Sequence, residues 1–147
     1  MKNEKGFTLV ELLVVIAILA IVAVIAVPSA MGVNQLIKNN MLEKKKEIIE
    51  QAAVLLGQDV KGSIIASNLD YKGQYSCKEF IVSDLVPNYL DKDNDNTCLK
   101  GDSTETTGCI VDPSDESKYL DKTKVIIYYK NKRIHAVVDL KDELSCS

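Results

Sequence analysis

Phe7 to Val27 reads FTLVELLVVIAILAIVAVIAV, and the rest of the chain is organised around it. Its 21 residues carry one charge, Glu11, and one other polar side chain, Thr8. About 20 consecutive apolar residues cross a hydrocarbon core of about 30 Å as a helix, so the run is long enough to span a bilayer. A carboxylate within such a helix costs roughly 2.5–3.5 kcal/mol on insertion scales, and a residue kept at that cost has a partner or a task. The plainer reading is a single-pass anchor with one tolerated Glu. An ordinary secretory signal peptide is the other rival, but its apolar region runs roughly 7–15 residues and ends at a small-residue cut. Here the run is longer, and Ala30 near its end has Pro28 two positions before it.

Upstream lies the short polar leader MKNEKG, Met1 to Gly6, with Lys2 and Lys5. The join Lys5-Gly6-Phe7-Thr8-Leu9-Val10-Glu11, followed by Pro28, resembles the prepilin peptidase site and first helix of type IV pilins and pseudopilins. The resemblance runs from about Lys5 to Gly32. It implies that a membrane peptidase cuts after Gly6 and methylates the new amine on Phe7. It also implies that Phe7–Val27 waits in the membrane before it packs into a filament core. The implied partners are the prepilin peptidase, an assembly ATPase, a polytopic platform protein, other pilins and further copies of this chain. Glu11 and Pro28 are the implied assembly positions. The amine on Phe7 could meet Glu11 of a neighbour, and a buried pair of this kind selects register more than it adds stability.

Four stretches are expected: a leader at 1–6, a membrane or filament-core helix at 7–30, its amphipathic continuation at 31–57, and a globular head at 58–147. Pro28 and Gly32 predict a kink or local unwinding, because Pro removes a helical donor and Gly weakens the helix. From Asn34 to Leu56 the apolar pairs Met41/Leu42, Ile48/Ile49 and Leu55/Leu56 recur every seven residues, with Glu43 to Glu47 and Glu50 on the solvated side. Gly57 or Gly62 is the expected stop.

In the head, Ser76-Cys77-Lys78-Glu79 has the form of a capping box, which predicts a short helix over Phe80–Val86 ended by Pro87. The best strand signals are Val125–Tyr129 and Arg133–Leu140, joined through Lys130-Asn131-Lys132 as a hairpin. Ile134, Ala136, Val138 and Leu140 would then face the long helix, and Arg133, His135, Val137 and Asp139 the other side. Tyr128 and Tyr129 must point to opposite faces, one core and one exposed. The fold class is α+β and type IV pilin-like: a long N-terminal helix packed against a small antiparallel sheet with disulfides.

Asp91, Asp93 and Asp95 alternate in DKDNDNT and are calcium candidates, since such acids can place hard oxygen ligands around the ion. Asn96 stands where an EF-hand has its turn glycine, and Asp102 where it has a bidentate Glu. A solvated, turn-prone loop is the competing reading. No other cofactor is expected. Leu99–Gly108 is a polar surface loop. Cys77, Cys98, Cys109 and Cys146 are even in number, lie beyond the apolar run and lack metal or redox spacing, so two disulfides are favoured. Three connectivities are open. Cys98 with Cys109 would close the polar loop, and Cys77 with Cys146 would tie the tail to the head.

The chain has 147 residues, a formal charge of −3 and no strong polycation character, so overall charge does not point to nucleic acid. His135 is the single histidine, expected on the surface. No nucleophile elbow, phosphate loop or nucleotide fingerprint is present, which argues against an enzyme. The expected function is a structural subunit of a type IV pilus serving adhesion, motility or aggregation. One alternative is a pseudopilin of a competence or type II secretion system, the competence case bringing nucleic acid as a partner. Another is an anchored binding module that never polymerises. The expected location is a single-pass membrane protein that becomes part of a surface filament.

Overall fold

A computed structural model describes residues 8–147, with the side chains of 25–31 outside the description. The chain divides into two compact units, Met1–Ile37 and Lys38–Ser147. Helix α1 covers Leu9–Asp59. The expected unwinding at Pro28 and Gly32 is not found: the helix assignment runs through both. Proline takes away one backbone donor, and a helix this long retains its other bonds on either side.

In the second unit α1 lies against an antiparallel sheet of strand order β1-β2-β3-β4, formed by Asp70–Tyr71, Tyr75–Ile81, Lys124–Lys130 and Arg133–Asp139. A short helix, α2, spans Lys61–Ile65 between α1 and β1. From α1, Ile49, Ala52, Ala53 and Leu56 join Ile64, Val125, Ile127 and Val138 in the main core. Each heptad pair is therefore split between two environments. Ile49 is fully buried while Ile48 is 52% exposed, and Leu56 is buried while Leu55 is 52% exposed.

Gly57 is not the helix stop. The helix continues to Asp59, and a Cβ at position 57 would stand 2.5 Å from Ile134 Cγ2 and 2.6 Å from Ile127 Cγ2. Glycine is there because the sheet presses against the helix backbone. Glu50 adds a polar tie, its Oε1 accepting from Val138 N–H at 3.1 Å.

The expected helix over Phe80–Val86 is replaced by β2 and a single 3-10 turn, Val82–Leu85. Pairing overrides the local pattern: Cys77 to Ile81 lie in register with Tyr128 to Lys124 of β3. Glu79 does not complete a capping box, because its Oε1 accepts from Cys146 N–H at 2.7 Å. Asp84 caps the 3-10 turn, accepting from Ile81 N–H at 3.0 Å.

The hairpin of β3 and β4 is present, with Lys130 opposite Arg133. Asn131 and Lys132 make a two-residue turn with φ of 51° and 65°, the left-handed pair that matches strand twist. Leu140 departs from expectation. It is 38% exposed, because β4 ends at Asp139 and that carboxylate turns the chain by accepting from Lys141 and Leu144 N–H. Tyr128 and Tyr129 also depart, both being half-buried. Both faces of the sheet are covered: Tyr129 packs on the main core, and Tyr128 joins a second cluster of Tyr71, Cys77, Ile126 and Cys146.

Candidate functional site

The first unit owes its character to the residues from Thr8 to Val24. Between Leu9 and Val24, twelve large apolar side chains are 46–76% exposed, and they point in every direction around the helix. Full burial of one such side chain contributes roughly 1.5–3 kcal/mol, so removing all of them from water is worth on the order of 10–20 kcal/mol. A helix with this surface has no stable place in water and needs lipid or other helices. Among the described residues no helix is long and apolar enough to cross a membrane. Within the apolar run the described side chains reach only from Thr8 to Val24, and a span needs roughly 20 apolar residues.

Thr8 and Glu11 close the start of α1 as a reciprocal cap. Thr8 N–H and Oγ1–H both donate to Glu11 Oε2 at 2.9 Å, and Glu11 N–H donates to Thr8 Oγ1 at 3.3 Å. Glu11 thus has a task within its own chain. The pattern Thr8-x-x-Glu11 was readable in the sequence as a capping box. Gly6 and Phe7 lie outside the described residues, as does the side chain of Pro28.

In the head, the polar segment between β2 and β3 is held by two tethers. The first is Asp93, whose Oδ1 meets Lys45 Nζ of α1 at 2.5 Å and whose Oδ2 accepts from Val111 N–H at 2.8 Å. Asp91 and Asp95 beside it are exposed, while Asn94 and Asn96 each donate a side-chain N–H to Gly108 C=O. Both oxygens of the middle calcium candidate are therefore engaged by the protein itself. The second tether is Asp121, which sequence reasoning did not single out. It is fully buried, accepting at Oδ1 from Leu99 N–H (2.8 Å) and Cys109 N–H (3.0 Å) and at Oδ2 from Ile110 N–H (3.0 Å). A Cβ at Gly108 would come within 2.7 Å of its Cγ. A carboxylate accepting several backbone N–H groups can be kept in a dry site where an unpartnered one cannot. A lone Asp among many carries no signal of such a role, although the small residue at Gly108 marks where it fits.

Cys98 is bonded to Cys109 and Cys77 to Cys146, with Cα separations of 4.6 and 6.0 Å. Among the described residues, the donors close enough to share an ion are Cys98, Cys109 and Asp121. Their sulfurs are spent on the disulfide and their carboxylate on three N–H groups. His135 is half-buried and stacks on Tyr128, with centroids 5.4 Å apart and planes 18° from parallel.

Residues 1–27 match the family described as the prokaryotic N-terminal methylation motif. This is the leader motif of type IV pilins and pseudopilins, and it stands directly before and within the helix whose apolar surface is exposed. The motif supports a protein of pilin or pseudopilin type, a structural class that assembles with other pilins after prepilin peptidase processing and starts from the membrane. Comparison with curated proteins and with solved structures gave no match.

Proposed function

We propose that the chain is a subunit of a type IV pilus, processed after Gly6, methylated on Phe7, stored in the membrane through Phe7–Val27, and packed by that helix into a filament serving adhesion, motility or aggregation. What carries the reading is the conjunction of the methylation motif at residues 1–27 with a helix whose large apolar side chains from Leu9 to Val24 are each 46–76% exposed. Extraction from lipid is favourable only if neighbouring helices replace the lost contacts, so the filament core is the natural sink. Glu11 exchanges its own-chain bond to Thr8 for the amine on Phe7 of a neighbour, which sets the axial offset between subunits. The head, braced by its two disulfides, faces water. The chain supplies no motif for nucleotide hydrolysis, so the work of extraction comes from an assembly ATPase acting through a platform protein.

Co-expression with a prepilin peptidase and the assembly machinery tests this. The expected product has lost Met1–Gly6, gained one methyl group at Phe7, and is recovered at high copy number in sheared surface filaments. Glu11→Ala is expected to be processed normally and to be missing from filaments. A mature chain that begins elsewhere than Phe7, or one that stays solitary with the full machinery present, would overturn the proposal. Low copy number in a filament that other subunits dominate would mark a minor subunit or pseudopilin.

A further inference from the structure

The two edges of the sheet are finished differently. Along β1 the C-terminal tail closes the edge: Asp70 N–H donates to Ser147 C=O at 2.8 Å, Ser147 N–H donates back to Asp70 C=O at 3.2 Å, and Tyr71 pairs with Cys146. The Cys77–Cys146 disulfide fastens that tail. At the opposite edge stands β4, and among the described residues no strand lies outside it. The hairpin decides which of its backbone groups face outward. A two-residue turn makes its flanking residues, Lys130 and Arg133, a hydrogen-bonded pair, so His135, Val137 and Asp139 bond to β3 as well. Ile134, Ala136 and Val138 then direct their N–H and C=O groups away from the sheet. Val138 bears this out, its N–H being the one that Glu50 accepts at 3.1 Å. Ile134 and Ala136 have no such outward partner among the described residues.

A groove of about 360 Å³ runs beside these open groups, with His135 and Ala136 of β4 on one side and Glu47, Glu50, Gln51 and Val54 of α1 on the other. The four α1 residues form one stripe of the helix, at i, i+3, i+4 and i+7. Helix and strand run in opposite directions here, since Gly57 lies against Ile134 and Glu50 meets Val138. The groove is therefore apolar at its Val54 end and acidic toward Glu50 and Glu47. Glu47 is joined only to Lys44 at 2.9 Å, with both side chains largely in solvent, and an exposed pair of that kind holds its carboxylate weakly. An unpaired edge is a template for another strand, and proteins blunt such edges with proline, a bulge or a charge. Residues 134–138, IHAVV, contain no proline, lysine or acid, and their register with β3 is unbroken.

We propose that the open edge of β4 is a strand-addition site for an extended, basic peptide segment of a partner protein, paired antiparallel to Ile134 and Ala136. The residue opposite Ile134 is small and apolar and lies toward Val54, and the residue opposite Ala136 is a lysine or arginine that reaches Glu50 and Glu47. Backbone pairing supplies the affinity, and the alternate side chains that point at α1 supply the selectivity. A second copy of β4 fits less well, because it would bring its own Glu47 and Glu50 stripe against the first, acid on acid. The site lies wholly within the second unit and needs no polymerisation, so it can fail while the assembly reading stands.

The probe is a dye-labelled pentapeptide with blocked ends, Thr-Lys-Thr-Val-Thr, added to the full chain in a mild uncharged detergent. Saturable binding is expected, with amide hydrogen exchange slowed at Ile134 and Ala136 and unchanged at His135 and Val137, which already pair with β3. N-methylation of the peptide's Lys and Val should weaken binding about 10-fold or more, because each methyl removes a bond to the edge and strands a carbonyl. N-methylation of the Thr residues should be tolerated. Glu47→Gln with Glu50→Gln keeps an acceptor for Val138 N–H, and should weaken binding about 2- to 5-fold and erase the preference for Lys over norleucine in the peptide. Ala136→Pro should abolish binding with the circular dichroism of the head retained, since the donor it removes faces outward on an edge strand. The proposal is overturned by no saturable binding at millimolar peptide, by protection at amides other than Ile134 and Ala136, or by equal binding of the peptide methylated at Lys and Val. Dimerisation of the chain through β4 that the peptide does not displace would overturn it too.

Discussion

Helix α1 contains two stretches that handle apolar residues in opposite ways. From Leu9 to Val24 large apolar side chains occupy every side of the helix, none less than 46% exposed. From Met41 to Leu56 they come in adjacent pairs, with Leu42 half-buried and Ile49 and Leu56 buried on the core side while Met41, Ile48 and Leu55 are exposed. The second stretch is explained by its own chain, because one face has a core to join and the other is broken up by Lys44, Glu47 and Gln51. The first stretch is explained only by something outside the head. The difference separates residues that fold the head from residues that place it, and substitutions can test that division.

The largest effect on head stability is expected inside the pairs. Ile49→Ala removes a fully buried side chain and should cost about 2–5 kcal/mol, read from the denaturant midpoint of the full chain in detergent. Ile48→Ala, at the adjacent and 52% exposed position, should stay within about 0.5 kcal/mol. Equal costs at the two sites would mean that the helix does not present its faces as described.

A smaller loss, about 1–3 kcal/mol, is expected for Gly57→Ala, since the new methyl meets Ile134 and Ile127 at 2.5 and 2.6 Å and forces the sheet away. If the variant were as stable as the parent, close approach of sheet to helix would not be why glycine stands there. The smallest effect on the head belongs to the first stretch. Leu13→Ala should leave the denaturant midpoint within about 0.5 kcal/mol, while membrane retention and recovery in filaments fall. A clear loss of head stability there would erase the contrast between the two stretches.

Much of this architecture is legible locally. The apolar run, the heptad pairs and the hairpin of β3 and β4 are written in patterns of a few residues, and the structure has the long helix and antiparallel sheet they imply. The misreadings share a cause. Ser76 to Val86 has the local form of a capped helix, yet Cys77 to Ile81 pair with residues of β3 lying some 45 positions further on. Gly57 looks like a stop because a glycine after a helical run usually is one, and only the packed sheet reveals the backbone contact. Asp121 could not be found at all, since the three N–H groups that define it come from Leu99, Cys109 and Ile110.

The amino-acid sequence by itself determined what short-range chemistry can specify: a short polar segment meeting an apolar run at Gly6 and Phe7, an apolar helix with Glu11 near its start, and strands that alternate. The tertiary structure alone decided which face of α1 is covered, that residues 75–81 form a strand, and where Asp121 finds its donors. The physical reason is range. Periodicity and capping act over one or two turns of chain, whereas burial, strand pairing and charge clustering depend on residues brought together only when the chain has closed on itself.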